Sequence, residues 1–219
     1  MHHDAVLCAV WKPAGIPVLP DRTGDPDLRT MVRARPGHDR VEPPHRIDRP
    51  VSGVVLFALD APTLAALNQA FRAGRVRKTY WAIVEGRPGQ ELVVAHRLVH
   101  DPRGHRARAA ADGRPVRLTA TPIAQGDRYT LMEVVPEGGA FHQVRAQLAL
   151  AGFPIKGDVK YGARRGEADR SIALHARSVS LRHPATGAEL VVVAPPPEGR
   201  LWQALAPDRP TDRPGPPAG

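Results

Sequence analysis

Only one cysteine, Cys8, occurs among the 219 residues, so no intrachain disulfide and no cysteine cluster for zinc can form. No apolar run approaches the length of a membrane span, and Met1-His2-His3-Asp4 lacks the basic and apolar segments of a secretion signal. With the lone thiol, these absences point to a cytoplasmic chain with no membrane partner. Nucleotide signatures are missing too: there is no Walker loop and no dinucleotide-type glycine pattern after a strand. Ser52 precedes Gly53 but has no glycine two residues before it, which excludes a nucleophile elbow. His38-Asp39 and His100-Asp101 are adjacent pairs without further ligands at metal spacing, so no metal site is expected. No internal repeat is visible.

Hydrophobic residues make up 42% of the chain and charged residues 24%, a globular composition with length enough for a real core. The 31 Lys and Arg against 22 Asp and Glu leave a formal charge of +9, which points to a polyanionic partner, nucleic acid first. Arg far outnumbers Lys, which suits bidentate phosphate contacts, although a GC-rich genome gives the same bias.

Apolar runs separated by Gly and Pro predict the elements. Residues 5–11 read as a strand ending in the turn Lys12-Pro13-Ala14-Gly15, and 21–44 as a surface loop with one helical turn at 28–32. Residues 53–59 lack polar alternation, as in a strand covered on both faces. Asp60 then caps a helix carrying Leu64, Leu67 and Phe71 on one side, which Gly74 ends. A strand follows at 79–84, an exposed basic loop at 100–114, and a hairpin pairs 117–123 with 129–135. The helix expected at 142–151 places Val144, Leu148 and Ala151 on one face; 171–181 and 189–194 read as a strand pair, and 201–205 as a last helical turn. Strands outnumber helices without regular alternation, so the fold class is α+β. One domain is expected over 1–206, with a Pro-rich disordered tail at 207–219.

Chemistry concentrates in His45-Arg46-Ile47-Asp48-Arg49-Pro50-Val51-Ser52-Gly53. Asp48 lies between two guanidinium groups, and nearby positive charge favours an ionised carboxylate, fit to act as base or nucleophile. A solvated ion-pair turn has the same local sequence. Tyr80 within Lys78-Thr79-Tyr80-Trp81-Ala82 is either a ring that stacks on a base or a core strand residue. Arg145 stands in the first turn of a helix, where anions are attracted, or on the surface. Residues 152–162 supply three glycines and two lysines around a turn.

Taken in order, residues 12–15, 45–53, 78–82, 142–162, 174–176 and 183–187 resemble the RluA-type family of RNA pseudouridine synthases over nearly all of the chain before the tail. The resemblance implies the pseudouridine synthase catalytic fold, a mainly antiparallel mixed sheet flanked by helices and loops with a cleft across it. It implies isomerisation of uridines to pseudouridine in structured RNA, ribosomal or transfer, with no cofactor, nucleotide or metal. Asp48 corresponds to the catalytic aspartate, by covalent attack or by proton abstraction. Tyr80 corresponds to the tyrosine that packs on the uracil, Arg145 to the arginine that pairs with the aspartate, and Leu174 to the apolar wall of the uracil pocket. Arg46 is expected to support the loop or the RNA. Val51 departs from the threonine of many members, and Ala140 from their arginine before His-Gln. No small RNA-binding domain is expected ahead of the first strand, and a monomer is expected. A non-catalytic RNA-binding or ribosome-assembly protein on the same scaffold would lack the Asp, Tyr or Arg. A metal-dependent nuclease would need a ligand cluster.

Overall fold

The computed structural model describes residues 1–205; the tail expected at 207–219 lies outside the described residues. In chain order the elements are β1 (Leu7–Lys12), α1 (Leu28–Arg33), β2 (Ser52–Ala58), α2 (Ala61–Arg72), β3 (Arg77–Glu85), β4 (Leu92–Asp101) and β5 (Arg106–Ala109). Then follow β6 (Arg114–Gln125), β7 (Tyr129–Glu137), α3 (Gln143–Leu150), a 3-10 turn (Val159–Tyr161), β8 (Leu174–Arg182), β9 (Glu189–Val193) and α4 (Arg200–Leu205). The class is α+β, as expected. The strands form one mixed sheet in the order β1-β2-β8-β3-β7-β6-β4-β5, with β9 also paired to β8.

Every residue of β2 is buried, which is why its sequence shows no polar alternation. β1 covers one edge of β2 along six residue pairs. On the other edge β8 runs parallel to β2 over two pairs only, Ser52 with His175 and Gly53 with Ala176. The rest of that edge would leave buried amides unpaired, at a free-energy cost. The segment after α1 covers it instead: Glu42 and Ala58 exchange main-chain hydrogen bonds at 3.1 and 2.9 Å, and the Leu56 amide donates to His45 Nε2 at 3.0 Å. The loop expected at 21–44 is thus tied to β2 where it reaches His45.

Helix α2 starts at Asp60, whose carboxylate accepts the Thr63 amide at 2.7 Å, with Pro62 in the first turn. Its Leu67 is fully buried, and the helix packs on β2. Helix α3 lies over β4, β5, β6 and β7 and is bound by more than apolar contact. Gln147 Nε2 donates to the Val94 carbonyl at 2.9 Å, and Gln143 Nε2 to the Arg117 carbonyl at 2.9 Å. Six successive α3 residues from Gln143 to Leu148 are buried, so the expectation of a single apolar face at Val144 and Leu148 is too narrow.

The exposed basic loop expected at 100–114 is corrected in part. Arg106–Ala109 is a strand paired with the end of β4, and Arg114 begins β6. This edge hairpin buries little, chiefly Leu98 and Ala107 against Val116 and Ala146, so it carries too few large apolar residues to announce itself. Arg103, Arg106, Arg108 and Arg114 are exposed, as expected.

The short parallel join carries a second polar link. Ser52 Oγ lies 2.9 Å from His175 Nδ1, and His175 Nε2 lies 3.3 Å from the Ala194 carbonyl. The carbonyl can only accept, so Nε2 carries the proton and Nδ1 accepts from the serine hydroxyl. Burial pushes His175 down to about 4. Gly53 beside it has φ +125°, and a Cβ there would lie 2.3 Å from the Ala176 carbonyl oxygen. Gly53→Ala should therefore force β2 and β8 apart and destabilise the protein by about 2 kcal/mol or more, read as a lower urea midpoint.

Candidate active site

A cleft of about 480 Å³ opens beside the parallel join, and its lining includes Asp48, Arg46, Tyr80, Arg145 and Leu174. These five expected site residues come from a loop, two strands and a helix. Asp48 is held from below by its own turn. The Val51 amide donates to the Asp48 carbonyl at 3.0 Å, and the Gly15 amide to the Arg49 carbonyl at 2.8 Å. The Ile172 amide donates to the Pro50 carbonyl at 3.2 Å. Lys12, wholly buried, adds its three ammonium donors to the carbonyls of Pro13, Ile16 and Arg49 at 2.8, 2.7 and 3.1 Å. Burial pushes this lysine down to about 7, against the opposing pull of the Asp48 charge. The turn Lys12-Pro13-Ala14-Gly15 is therefore the footing of the Asp48 loop.

Charge at Asp48 is arranged differently from the local sequence. Arg49 turns away and pairs with Asp21 and Asp25 at 2.8 and 2.6 Å, and Arg46 is exposed on the rim of the cleft. The neighbouring cation is Arg145, whose Nη1 donates to Asp48 Oδ2 at 3.1 Å. Arg145 is 5% exposed, so the surface reading of that residue is excluded. Its other side is gripped by Asp158, which sequence reasoning missed: Nε donates to Oδ2 at 2.7 Å and Nη2 to Oδ1 at 2.8 Å. Burial disfavours the guanidinium charge, but the Asp158 contacts outweigh it and raise the Arg145 pKa. Asp158 lies in the Gly-rich turn at 152–162, and the spacing of thirteen residues gives no local sign of the pairing.

His142 also went unassigned. Its φ of 52° lies in the left-handed region, a strained choice for a residue with a Cβ, so the helix begins one residue later than expected. Nε2 of His142 lies 3.0 Å from Arg145 Nη1, and Nδ1 lies 2.9 Å from the Tyr161 hydroxyl. Arginine only donates, so Nε2 accepts and the ring proton sits on Nδ1, facing Tyr161. Burial first, then the Arg145 charge, push His142 down to about 3. The ring is neutral at pH 7. The Tyr161 oxygen also accepts the Ala107 amide at 2.6 Å, which ties this network to β5.

Tyr80 is half-buried on β3, and burial followed by the Asp48 charge raises its pKa, so the phenol stays protonated. Leu174, 3% exposed, starts β8. His45 stacks on Phe71 at 4.8 Å between ring centroids and is pushed down to about 3, mainly by burial. Asp48 uses Oδ2 for Arg145 and leaves Oδ1 without a protein partner among the described residues. The arrangement offers one accessible carboxylate oxygen, a fixed cation behind it, and a flat ring and an apolar side chain that can enclose a planar base.

Among the described residues, the one group of three candidate metal ligands is His2, Asp4 and His183, away from this cleft. His183 Nδ1 accepts the Ala185 and Thr186 amides, so Nε2 carries the proton and donates to Asp4 at 2.9 Å. That group ties the N-terminus to the β8–β9 turn.

A profile of the family described as RNA pseudouridylate synthase matches residues 6–150, more than half of the chain. The chain belongs to this family. It is 36% identical over 174 residues to a protein of Chloroflexus aurantiacus named as an uncharacterized RNA pseudouridine synthase, covering 78% of this chain and 54% of that one. It is 32% identical over 229 residues to tRNA pseudouridine synthase C of Vibrio cholerae, covering 94% and 93% respectively. The chain thus spans about half the length of the first relative and nearly all of the second. Among solved structures, human RNA pseudouridylate synthase domain containing 4 superposes with a TM-score of 0.74 at 25% identity, over 90% of this chain and 87% of that one. The fold expected for a pseudouridine synthase is therefore the fold observed.

Two outcomes follow from the buried charges. Removing the Asp158 carboxylate leaves Arg145 half-partnered in the interior, so Asp158→Ala should lower stability by about 3 kcal/mol in urea titration. His45, His142 and His175 are held neutral far below the ordinary histidine value near 6.5. The unfolded chain binds those protons first, so the share of stability these three rings govern should be full above about pH 6.5 and fall as pH drops towards 4. Each ring contributes up to about 1.4 kcal/mol per pH unit in that window. His45→Gln should flatten the fall by one ring's share in urea midpoints measured from pH 6.5 to 4.5.

Proposed function

We propose that this chain isomerises uridine to pseudouridine in structured RNA, with Asp48 as the catalytic residue. The observation that carries the reading is the pairing of Asp48 with buried Arg145 in a cleft that also holds Tyr80 and Leu174. Transfer RNA is the favoured substrate, because the relative matched along nearly its whole length is named for tRNA. Ribosomal RNA is the other candidate, and the excess of basic residues suits either.

The reaction breaks the bond between the ribose C1′ and uracil N1, turns the base over, and joins C1′ to C5. N1 gains a proton and C5 loses one, so the product is an isomer and no electrons are exchanged. Asp48 serves either by attacking as a nucleophile or by taking a proton from the sugar. Both routes need an ionised carboxylate, and Arg145 supplies its counter-charge. Asp158 and His142 are positioning residues: they fix the guanidinium plane, so Arg145 meets Asp48 from one direction. Tyr80 and Leu174 cover the detached uracil and keep it from water until the new bond forms. The target uridine has to leave its stack, which costs a few kcal/mol and least in a loop or single strand. In this reading Arg46, exposed on the rim, contacts the RNA backbone and offsets part of that cost, which its exposure at the cleft supports.

The alternative, an RNA-binding protein without catalysis on this scaffold, gives no reason to maintain a buried Arg145 between two carboxylates at a cleft. Asp48→Asn keeps the side-chain shape and removes the charge. Release of the uridine C5 hydrogen from unmodified tRNA should fall below about one-thousandth of the wild-type rate, while RNA affinity and the urea midpoint stay close to wild type. Turnover at the wild-type rate would sink the assignment.

A further inference from the structure

A second group of charges stands on the wall of the same cleft and takes no part in the chemistry above. Lys78 and Arg114 flank the Gly138-Gly139 turn that follows β7. The Lys78 ammonium donates to the Gly138 carbonyl, and a Cβ built on Gly139 would come within 3.0 Å of Lys78 Nζ. A Cβ built on Gly138 would lie 3.9 Å from Arg114 Nη2. The absence of a side chain at Gly139 lets the Lys78 ammonium reach the turn, and Arg114 lies within ordinary contact distance of Gly138.

Like charges brought together are costly unless an anion lies between them. Here no carboxylate lies within ion-pair distance of either cation among the described residues, and the nearby Glu137 is engaged by Arg117 at 3.4 Å. Lys78 is half-buried, and burial together with the Arg114 charge lowers its pKa, the direction expected for a cation lacking a counter-ion. On β3, Lys78 and Tyr80 both line the cleft two residues apart, about 6.6 Å along the strand. A base against Tyr80 would therefore have its own or its neighbour's backbone within reach of Lys78.

We propose that Lys78, Arg114 and the Gly138-Gly139 turn form a binding subsite for an RNA backbone phosphate next to the uridine held at Tyr80. This rests on the reading of the cleft as a uridine site. The subsite fixes the register of the RNA, whereas Arg145 is committed to Asp48 and Asp158 and has no free fork for a phosphate.

The test is the salt dependence of binding to an unmodified tRNA transcript, because each phosphate neutralised adds a fixed increment to the slope of log affinity against log salt. Arg114→Gln is the decisive variant, since an exposed side chain can be replaced without disturbing packing. It should lower the slope by about 0.7 to 0.9 and weaken binding at every salt concentration. Lys78→Arg should keep the wild-type slope, Lys78→Gln should lose the same increment, and Arg87→Gln, beyond the far end of β3, should behave as wild type. A wild-type slope for Arg114→Gln overturns the subsite. Release of the C5 hydrogen by the unaltered protein is scored separately: activity with an unchanged Arg114→Gln slope removes the subsite alone, and inactivity removes the proposed function.

Discussion

One guanidinium governs the architecture of the cleft. Arg145 is a buried cation, and a buried cation survives only with partners of opposite charge and well-aligned hydrogen bonds. Asp158 supplies two of those bonds and Asp48 a third, so a single planar group joins a structural carboxylate to one that faces the cleft. The strain at His142 makes sense in that setting. A left-handed residue immediately before α3 brings an imidazole acceptor to the same nitrogen that meets Asp48. The glutamines of α3, bonded to strand carbonyls, keep the helix from rotating and so keep the guanidinium in plane.

Asp48 has a different kind of support. Its side chain takes one hydrogen bond, from Arg145, with His142 Nε2 3.4 Å away, and the two residues after it are pinned: the Arg49 carbonyl accepts from the Gly15 amide and the buried Lys12 ammonium, and the Pro50 carbonyl from the Ile172 amide. Position is fixed by the backbone while the carboxylate is left open. Covering the open edge of β2 with residues 42–45 serves the same end, because the hydrogen bonds that satisfy that edge also deliver the chain to Asp48.

Much of this was legible in the sequence. The unbroken apolar run of β2, the Asp60 cap and the β6–β7 hairpin follow from short-range rules, and the order of motifs singles out Asp48, Tyr80, Arg145 and Leu174, which the fold brings to one cleft. The local charge reading around Asp48 failed because neighbours in sequence point in different directions: Arg49 finds its carboxylates at Asp21 and Asp25, more than twenty residues earlier. Asp158 was invisible for the same reason, since nothing short of the folded turn brings it to Arg145. The β4–β5 hairpin escaped because an edge that buries Leu98 and Ala107 leaves only a faint apolar pattern. His142 and Tyr161 were hidden by a backbone angle that composition does not encode.

The sheet is narrowest where β2 meets β8, two residue pairs wide. Asp48 rides on the β1–β2 side of that seam, while Tyr80, Leu174 and Arg145 belong to the other. The sheet is in this respect two parts joined by a short parallel seam, with Asp48 on one and Tyr80, Leu174 and Arg145 on the other. The Asp48–Arg145 contact crosses that seam, and the Ser52–His175 and Ile172–Pro50 bonds cross it as well, stitching its two sides together. The bonds that close the seam and the contact that aligns Asp48 with Arg145 therefore belong to one mechanical unit of this fold.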